Sequence, residues 1–226
     1  PREGAEGGRF SRGKDGRRPY NVTRGRNNSA TAHISIDYAL RGPTLTYSTA
    51  CSSSAVAIGE AGRAIRHGYT DLAIAGGSEA MLTLGTIRAW EALRTLASED
   101  PYDPGASCRP FSRDRTGLVL GEGAGILVLE SEEHARARGA KVYAELAGYG
   151  ASSDASHLTK PAREAHAAAI RLALPPPGLT PESIVHHQAH HPAAPAGNPY
   201  APRTNRASSG PPPRRPPPPA PHPSPP

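Results

Sequence analysis

Apolar residues recur at positions 55, 58, 61, 62 and 65, the spacing that gathers one face of a helix against a core. The pattern predicts a helix from Ala55 to Ile65. Asp71-Leu72-Ala73-Ile74-Ala75 then reads as a buried strand, closed by Gly76-Gly77-Ser78-Glu79-Ala80. Ahead of the helix, Gly42-Pro43 punctuates the chain and Thr44-Leu45-Thr46-Tyr47 is a short β-prone run. Further on, Leu82 to Leu96 is mostly helical, with Trp90 and Leu93 on its apolar side, and Glu99 to Ser107 is a loop. Gly123-Ala124-Gly125-Ile126-Leu127-Val128-Leu129-Glu130 predicts a central strand. Ser131 before Glu132-Glu133, and Arg138-Gly139 after them, are helix start and stop signals. Val142 to Tyr149 alternates as a further strand, and Ala162 to Leu174 is a helix ended by Pro175-Pro176-Pro177-Gly178. Strands alternating with helices imply an α/β fold with a parallel sheet. The glycine spacing of Gly123-Ala124-Gly125 suggests a phosphate loop, but no Lys-Ser/Thr follows it, and close backbone packing is the expectation for these glycines.

Charge divides the chain more sharply than hydropathy does. The net charge is +6 over 226 residues, yet residues 1–31 hold eight Lys+Arg against three Asp+Glu, and residues 186–226 hold four Arg and no acid. The span between them has 14 basic and 17 acidic residues. The basic balance therefore belongs to the ends, and with few aromatic residues for base stacking it does not describe a nucleic-acid-binding surface. Fifteen of the 26 prolines fall in 186–226. This composition predicts a disordered Gly/Arg-rich arm over 1–18, a globular domain over 19–185 and a Pro-rich tail over 186–226. No stretch approaches the roughly 20 apolar residues of a membrane span, and the start lacks the apolar centre of a signal peptide. Two cysteines, Cys51 and Cys108, do not make a disulfide framework. Both points fit a cytoplasmic location.

Chemistry centres on Ser48-Thr49-Ala50-Cys51-Ser52-Ser53-Ser54. This run lies between a strand-like segment and the predicted helix. A helix N-terminus offers free N–H groups and the positive end of the macrodipole, and both favour a thiolate. Cys51 is thus a candidate nucleophile for acyl transfer; the plainer alternative is a buried structural cysteine.

The chain resembles the β-ketoacyl-acyl-carrier-protein synthases, the condensing enzymes of fatty acid and polyketide synthesis. The resemblance is carried by Gly42-Pro43, Ser48 to Ser54, Ala75-Gly76-Gly77-Ser78-Glu79-Ala80, Arg109-Pro110-Phe111-Ser112-Arg113-Asp114-Arg115-Thr116-Gly117, Gly121-Glu122-Gly123-Ala124-Gly125 and Ser153-Asp154-Ala155-Ser156-His157-Leu158-Thr159. The three serines after Cys51 are similar to the elongating type. The resemblance implies a thiolase-like layered α/β fold, present in part, as the nucleophile half and the start of a second half. It implies a homodimer, with acyl carrier protein as partner. The reaction it implies is a decarboxylative Claisen condensation of an acyl-cysteine with malonyl-carrier protein. Cys51 would take the acyl group, and its N–H would donate to an oxyanion. His190, in Gln188-Ala189-His190-His191-Pro192, falls where the family has the first of its two decarboxylation histidines. His157 and Thr159 match positions near the substrate channel. No metal or cofactor is implied beyond the carrier protein's phosphopantetheine arm.

Three departures accompany the resemblance. The glycine and threonines that follow the family's first histidine are replaced by His191, Pro192, Ala193 and Ala194, the second histidine with its preceding lysine has no counterpart, and neither has the Gly-Phe-Gly-Gly loop. A catalytically dead remnant or partner subunit with a ketosynthase-like core is therefore the second reading, and a cysteine hydrolase with a Cys-His pair the third. The imidazoles of His186-His187 and His190-His191 could bind a metal, but no acid or cysteine joins them. The passage into Pro, Arg, Ala and His has two readings: a polyproline II segment over 211–226 suited to an SH3-like groove, and, favoured over it, a shifted reading frame near residue 185.

Overall fold

The computed structural model describes residues 26–155, 162–174, 184–188 and 190. Within them lie α1 (Ser29–Asp37), α2 (Ser53–Arg66), β1 (Leu72–Glu79), α3 (Leu84–Ala92), a 3-10 turn (Pro104–Ser107), β2 (Gly123–Glu130), α4 (Glu132–Ala137) and α5 (Arg163–Ala173). The periodic segments from residue 55 to 130 form the elements their pattern predicts, but β1 runs on through the glycines expected to close it, β2 is exposed along most of its length and not central, and the third helix is shorter at both ends. Its start is set by Thr83, whose hydroxyl accepts from the Thr86 N–H at 3.3 Å. Its end is set near Arg94, which takes a left-handed φ of 54°. Helix α1 had no apolar periodicity to announce it.

Helix ends follow local chemistry. Beyond α2, Gly68 adopts φ 73°, its N–H bonds the Ile65 carbonyl, and the Tyr69 N–H bonds that of Ala64. This paired closure satisfies carbonyls the helix would otherwise leave orphaned. Arg63 and Arg66 stand in the last turn, where cations suit the helix dipole. α4 repeats the device with Ser131 as N-cap and Gly139 at φ 66°.

The two strands form one antiparallel pair, from Leu72 opposite Glu130 to Glu79 opposite Gly123. This corrects the expectation of a parallel arrangement for these strands. An apolar run has no direction of its own; direction is set by where the connecting chain re-enters. Here the Leu82 N–H donates to the Glu122 carboxylate at 2.9 Å. The two ends of the connection are thereby held side by side, so β2 returns along the way β1 came.

Two predicted strands do not form among the described residues. Thr44–Tyr47 joins no ladder; the Thr46 hydroxyl instead pairs with that of Thr31 on α1 at 2.7 Å. Residues 142–149 lie against α2. Arg66 donates to the Leu146 and Ala147 carbonyls at 3.2 and 3.4 Å, which takes acceptors a sheet would need. The Tyr149 ring fills the space beside Gly59, where any Cβ would run into it. Burial pushes the Tyr149 phenol up, and the negative charge of Glu60 adds to the shift.

α2 packs on β1, and the apolar residues buried among those described are Ala75 on β1 and Ala135 on α4. β2 is more open, with Val128 60% exposed. Its C-terminal end is anchored by charge. The Glu130 carboxylate accepts from Arg138 Nε at 2.8 Å, from Arg138 Nη2, and lies 2.7 Å from His134 Nδ1. These bonds, Arg138 first and His134 second, hold the Glu130 carboxyl down at about 2 from 4.5. A depressed carboxyl stabilises the folded state above its ordinary value and ceases to do so as pH falls through the depressed one. Thermal unfolding across the acid range should therefore show Glu130→Gln less stable than the unaltered chain at neutral pH. The difference should shrink as pH falls from about 4.5 and vanish near about 2.

Candidate active site

Cys51 sits on a tight turn one residue ahead of Ser52, the N-cap of α2. The preceding residue, Ala50, has φ 52°. That left-handed conformation costs a non-glycine residue about 1 kcal/mol, so surrounding bonds must enforce it. They come from the next two serines. The Ser52 hydroxyl donates to the Thr49 carbonyl at 2.8 Å and approaches Thr49 Oγ1 at 3.1 Å. The Ser53 hydroxyl accepts from the Thr49 N–H at 2.8 Å and donates to the Ala50 carbonyl at 2.7 Å. The Ser52 and Ser53 N–H groups close the same turn onto the Thr49 and Ala50 carbonyls, at 3.3 and 3.1 Å.

Cys51 takes part in none of these side-chain bonds and is exposed. Among the described residues its N–H has no acceptor, and neither have those of Ser54 and Ala55 in the first turn of α2. A thiol thus stands at a helix start beside unpaired N–H groups. That is what attack on a thioester and capture of the resulting oxyanion both need.

The position of this turn over the sheet depends on Gly77. A Cβ there would lie 2.6 Å from the Ser54 Cβ, closer than two side chains can come. Gly77 in β1 is therefore what lets the N-terminal end of α2 rest on the strand. The glycine pair was visible in the sequence; its contact with Ser54 was not. Nor were the left-handed Ala50 and the serine clasp, for which the only sequence signal is three hydroxyls in a row after the cysteine.

The other candidate positions are less fully placed. His190 is exposed, and among the described residues no hydrogen bond or ion pair joins it to the Cys51 turn. His157 and Thr159 lie outside the described residues. No group of three metal-ligating side chains comes together among the described residues. The second cysteine, Cys108, is exposed in the loop after the 3-10 turn. That loop is held by Arg109, which reaches Asp100 and Asp114, each at 3.3 Å. Asp100 is kept below the usual carboxylate range by the N–H groups of Tyr102 and Asp103, with Arg109 adding to them.

The family profile described as Beta-ketoacyl synthase, N-terminal domain, matches residues 4–135. The chain belongs to the β-ketoacyl synthase family. The match begins inside the stretch that composition assigns to an arm. Nodulation protein E of Rhizobium leguminosarum bv. trifolii is 45% identical over 173 residues, which are 76% of this chain and 41% of that protein. The mitochondrial 3-oxoacyl-[acyl-carrier-protein] synthase of Arabidopsis thaliana is 40% identical over 173 residues, 76% of this chain and 38% of that protein. Among solved structures, a β-ketoacyl synthase from Burkholderia phymatum superposes with a TM-score of 0.67 at 36% identity, covering 76% of this chain and 42% of that one. The ketosynthase of a type II polyketide system, solved with its acyl-carrier protein and a hexaketide, gives 0.66 at 40% identity, covering 70% and 39%. The fold of this ketosynthase chain is accordingly the thiolase-like α/β fold, present in part. The chain spans about two fifths of the length of the relatives it matches.

The left-handed Ala50 yields a direct check. Ala50→Gly removes the Cβ clash and should raise the denaturation midpoint, by up to about 1 kcal/mol in stability. Ala50→Val should lower it by more than that.

Proposed function

We propose that this chain carries the nucleophile centre of a β-ketoacyl-acyl-carrier-protein synthase, acting in fatty acid or polyketide synthesis. The observation that supports this is the exposed Cys51 thiol on a clasped turn, with unpaired N–H groups beside it. In the first half-reaction, Cys51 Sγ attacks the carbonyl of an acyl thioester on the carrier protein's phosphopantetheine arm. The Cys51 N–H donates to the oxyanion, the carrier thiol leaves with a proton, and an acyl-cysteine remains. In the second, malonyl-carrier protein loses carbon dioxide. Its enolate carbon attacks the acyl-cysteine carbonyl, releasing the β-ketoacyl product on the carrier and returning the Cys51 thiolate. His190 is assigned as the donor to the malonyl thioester carbonyl, and His157 and Thr159 to the substrate channel.

Acyl carrier protein is the partner in this reading. The polyketide ketosynthase to which the chain is similar was solved with one. A homodimer is part of the same reading: Ile126 and Val128, which share one face of β2, are 47 and 60% exposed, an apolar pair that a layered fold covers. Two free cysteines accord with the reducing cytoplasm, and no described helix is long and apolar enough to cross a membrane. The alternative, a non-catalytic partner subunit, draws on the chain-length-factor complexes among similar structures; a retained, exposed Cys51 speaks for the enzyme.

Incubation with an acyl thioester, followed by peptide mass spectrometry, separates the two. Acylation should appear on Cys51 and not on Cys108, which is also exposed, and Cys51→Ala should abolish it. Absence of acyl-Cys51 would overturn the enzymatic reading. His190→Ala should leave that acylation intact and reduce malonyl decarboxylation by about a hundredfold.

A further inference from the structure

We propose that Ser53 is a positioning residue whose hydroxyl aims the Cys51 N–H at the oxyanion; the role rests on the reading of Cys51 as acyl acceptor. Ser53 is half-buried at the first position of α2. A hydroxyl carries one donor and two acceptor lone pairs. Ser53 uses the donor on the Ala50 carbonyl at 2.7 Å and an acceptor on the Thr49 N–H at 2.8 Å. The two bonds grip the chain on both sides of Ala50, the residue held at φ 52°.

The consequence for Cys51 follows from peptide geometry. The Ala50 carbonyl and the Cys51 N–H belong to one planar peptide unit, in which a trans bond points them in opposite directions. The carbonyl is drawn toward the start of α2 by the Ser53 hydroxyl and also by the Ser53 N–H at 3.1 Å. The Cys51 N–H must then point away from the helix, which agrees with its having no acceptor among the described residues. Ser53 therefore sets the direction of the donor without touching substrate. Ser52 grips Thr49 alone and leaves this peptide untouched.

Two reactions of the same thiol separate positioning from general structure. Acylation by a thioester passes through a tetrahedral oxyanion and needs the Cys51 N–H. Alkylation by iodoacetamide displaces iodide at carbon and forms no oxyanion, so it needs only an exposed thiolate. In the 226-residue chain, both rates are measured at Cys51 by peptide mass spectrometry, with Cys108 as internal reference and a medium-chain acyl N-acetylcysteamine thioester as probe. Ser53→Ala should lower acylation about tenfold while changing alkylation less than about twofold. Ser53→Thr, which keeps a hydroxyl, should restore the acylation-to-alkylation ratio, and Ser53→Val, of the same shape without one, should not. An unaltered ratio in Ser53→Ala, beside an acylated Cys51 in the unaltered chain, would sink the proposal and leave the nucleophile reading standing. No acylation in the unaltered chain would sink both. If Ser53→Ala does not fold, amide exchange in the unaltered chain decides. The Thr49 amide should be protected relative to that of Cys51, and equal exchange overturns the clasp.

Discussion

The close approach of α2 to β1 at Gly77 is the constraint on which the rest of the site depends. A helix start and a strand come together there with only the Ser54 side chain between them, resting where a Cβ on Gly77 would intrude. The contact has little intrinsic energy. Its value is geometric, because it fixes the height of the helix start above the strand. Everything that gives Cys51 its character is measured from that helix start: the unpaired N–H groups, the dipole and the serine clasp. A side chain at Gly77 would have to lift the helix end, and the turn would move with it.

Around this contact the fold spends polar groups where a larger domain would use apolar area. Among the described residues full apolar burial is confined to Ala75 and Ala135, whereas the strand connection is held by Leu82 to Glu122 and the end of β2 by Glu130 with Arg138 and His134. The Arg109 pairs hold the loop that carries Cys108. These bonds span from four residues, Glu130 to His134, to forty, Leu82 to Glu122, and each fixes a direction of the chain.

The turn at Cys51 shows how strain and hydrogen bonding share one task. A left-handed alanine is unfavourable alone, and a run of serines competes with helix formation. Placed together they support each other. The hydroxyls of Ser52 and Ser53 find backbone partners on Thr49 and Ala50, and those partners hold Ala50 in the conformation that turns the chain. The exposed thiol and the free N–H follow from that compromise.

The sequence by itself determined the helices that form at 53–66, 132–137 and 163–173, the first half of the strand at 72–79, the strand at 123–130, the helix stop at Gly139, and the cysteine at a helix start. These are local matters: periodicity, caps and left-handed glycines are written within a few residues of where they act. Only the tertiary structure decided that β1 and β2 run antiparallel, that residues 142–149 lie on α2 through Arg66 and Gly59 and form no strand, and that Ser53 reaches back over Ala50. A β-prone run specifies neither its direction nor its partner. Whether its carbonyls meet another strand or an arginine from a helix 80 residues away depends on where the whole chain brings them.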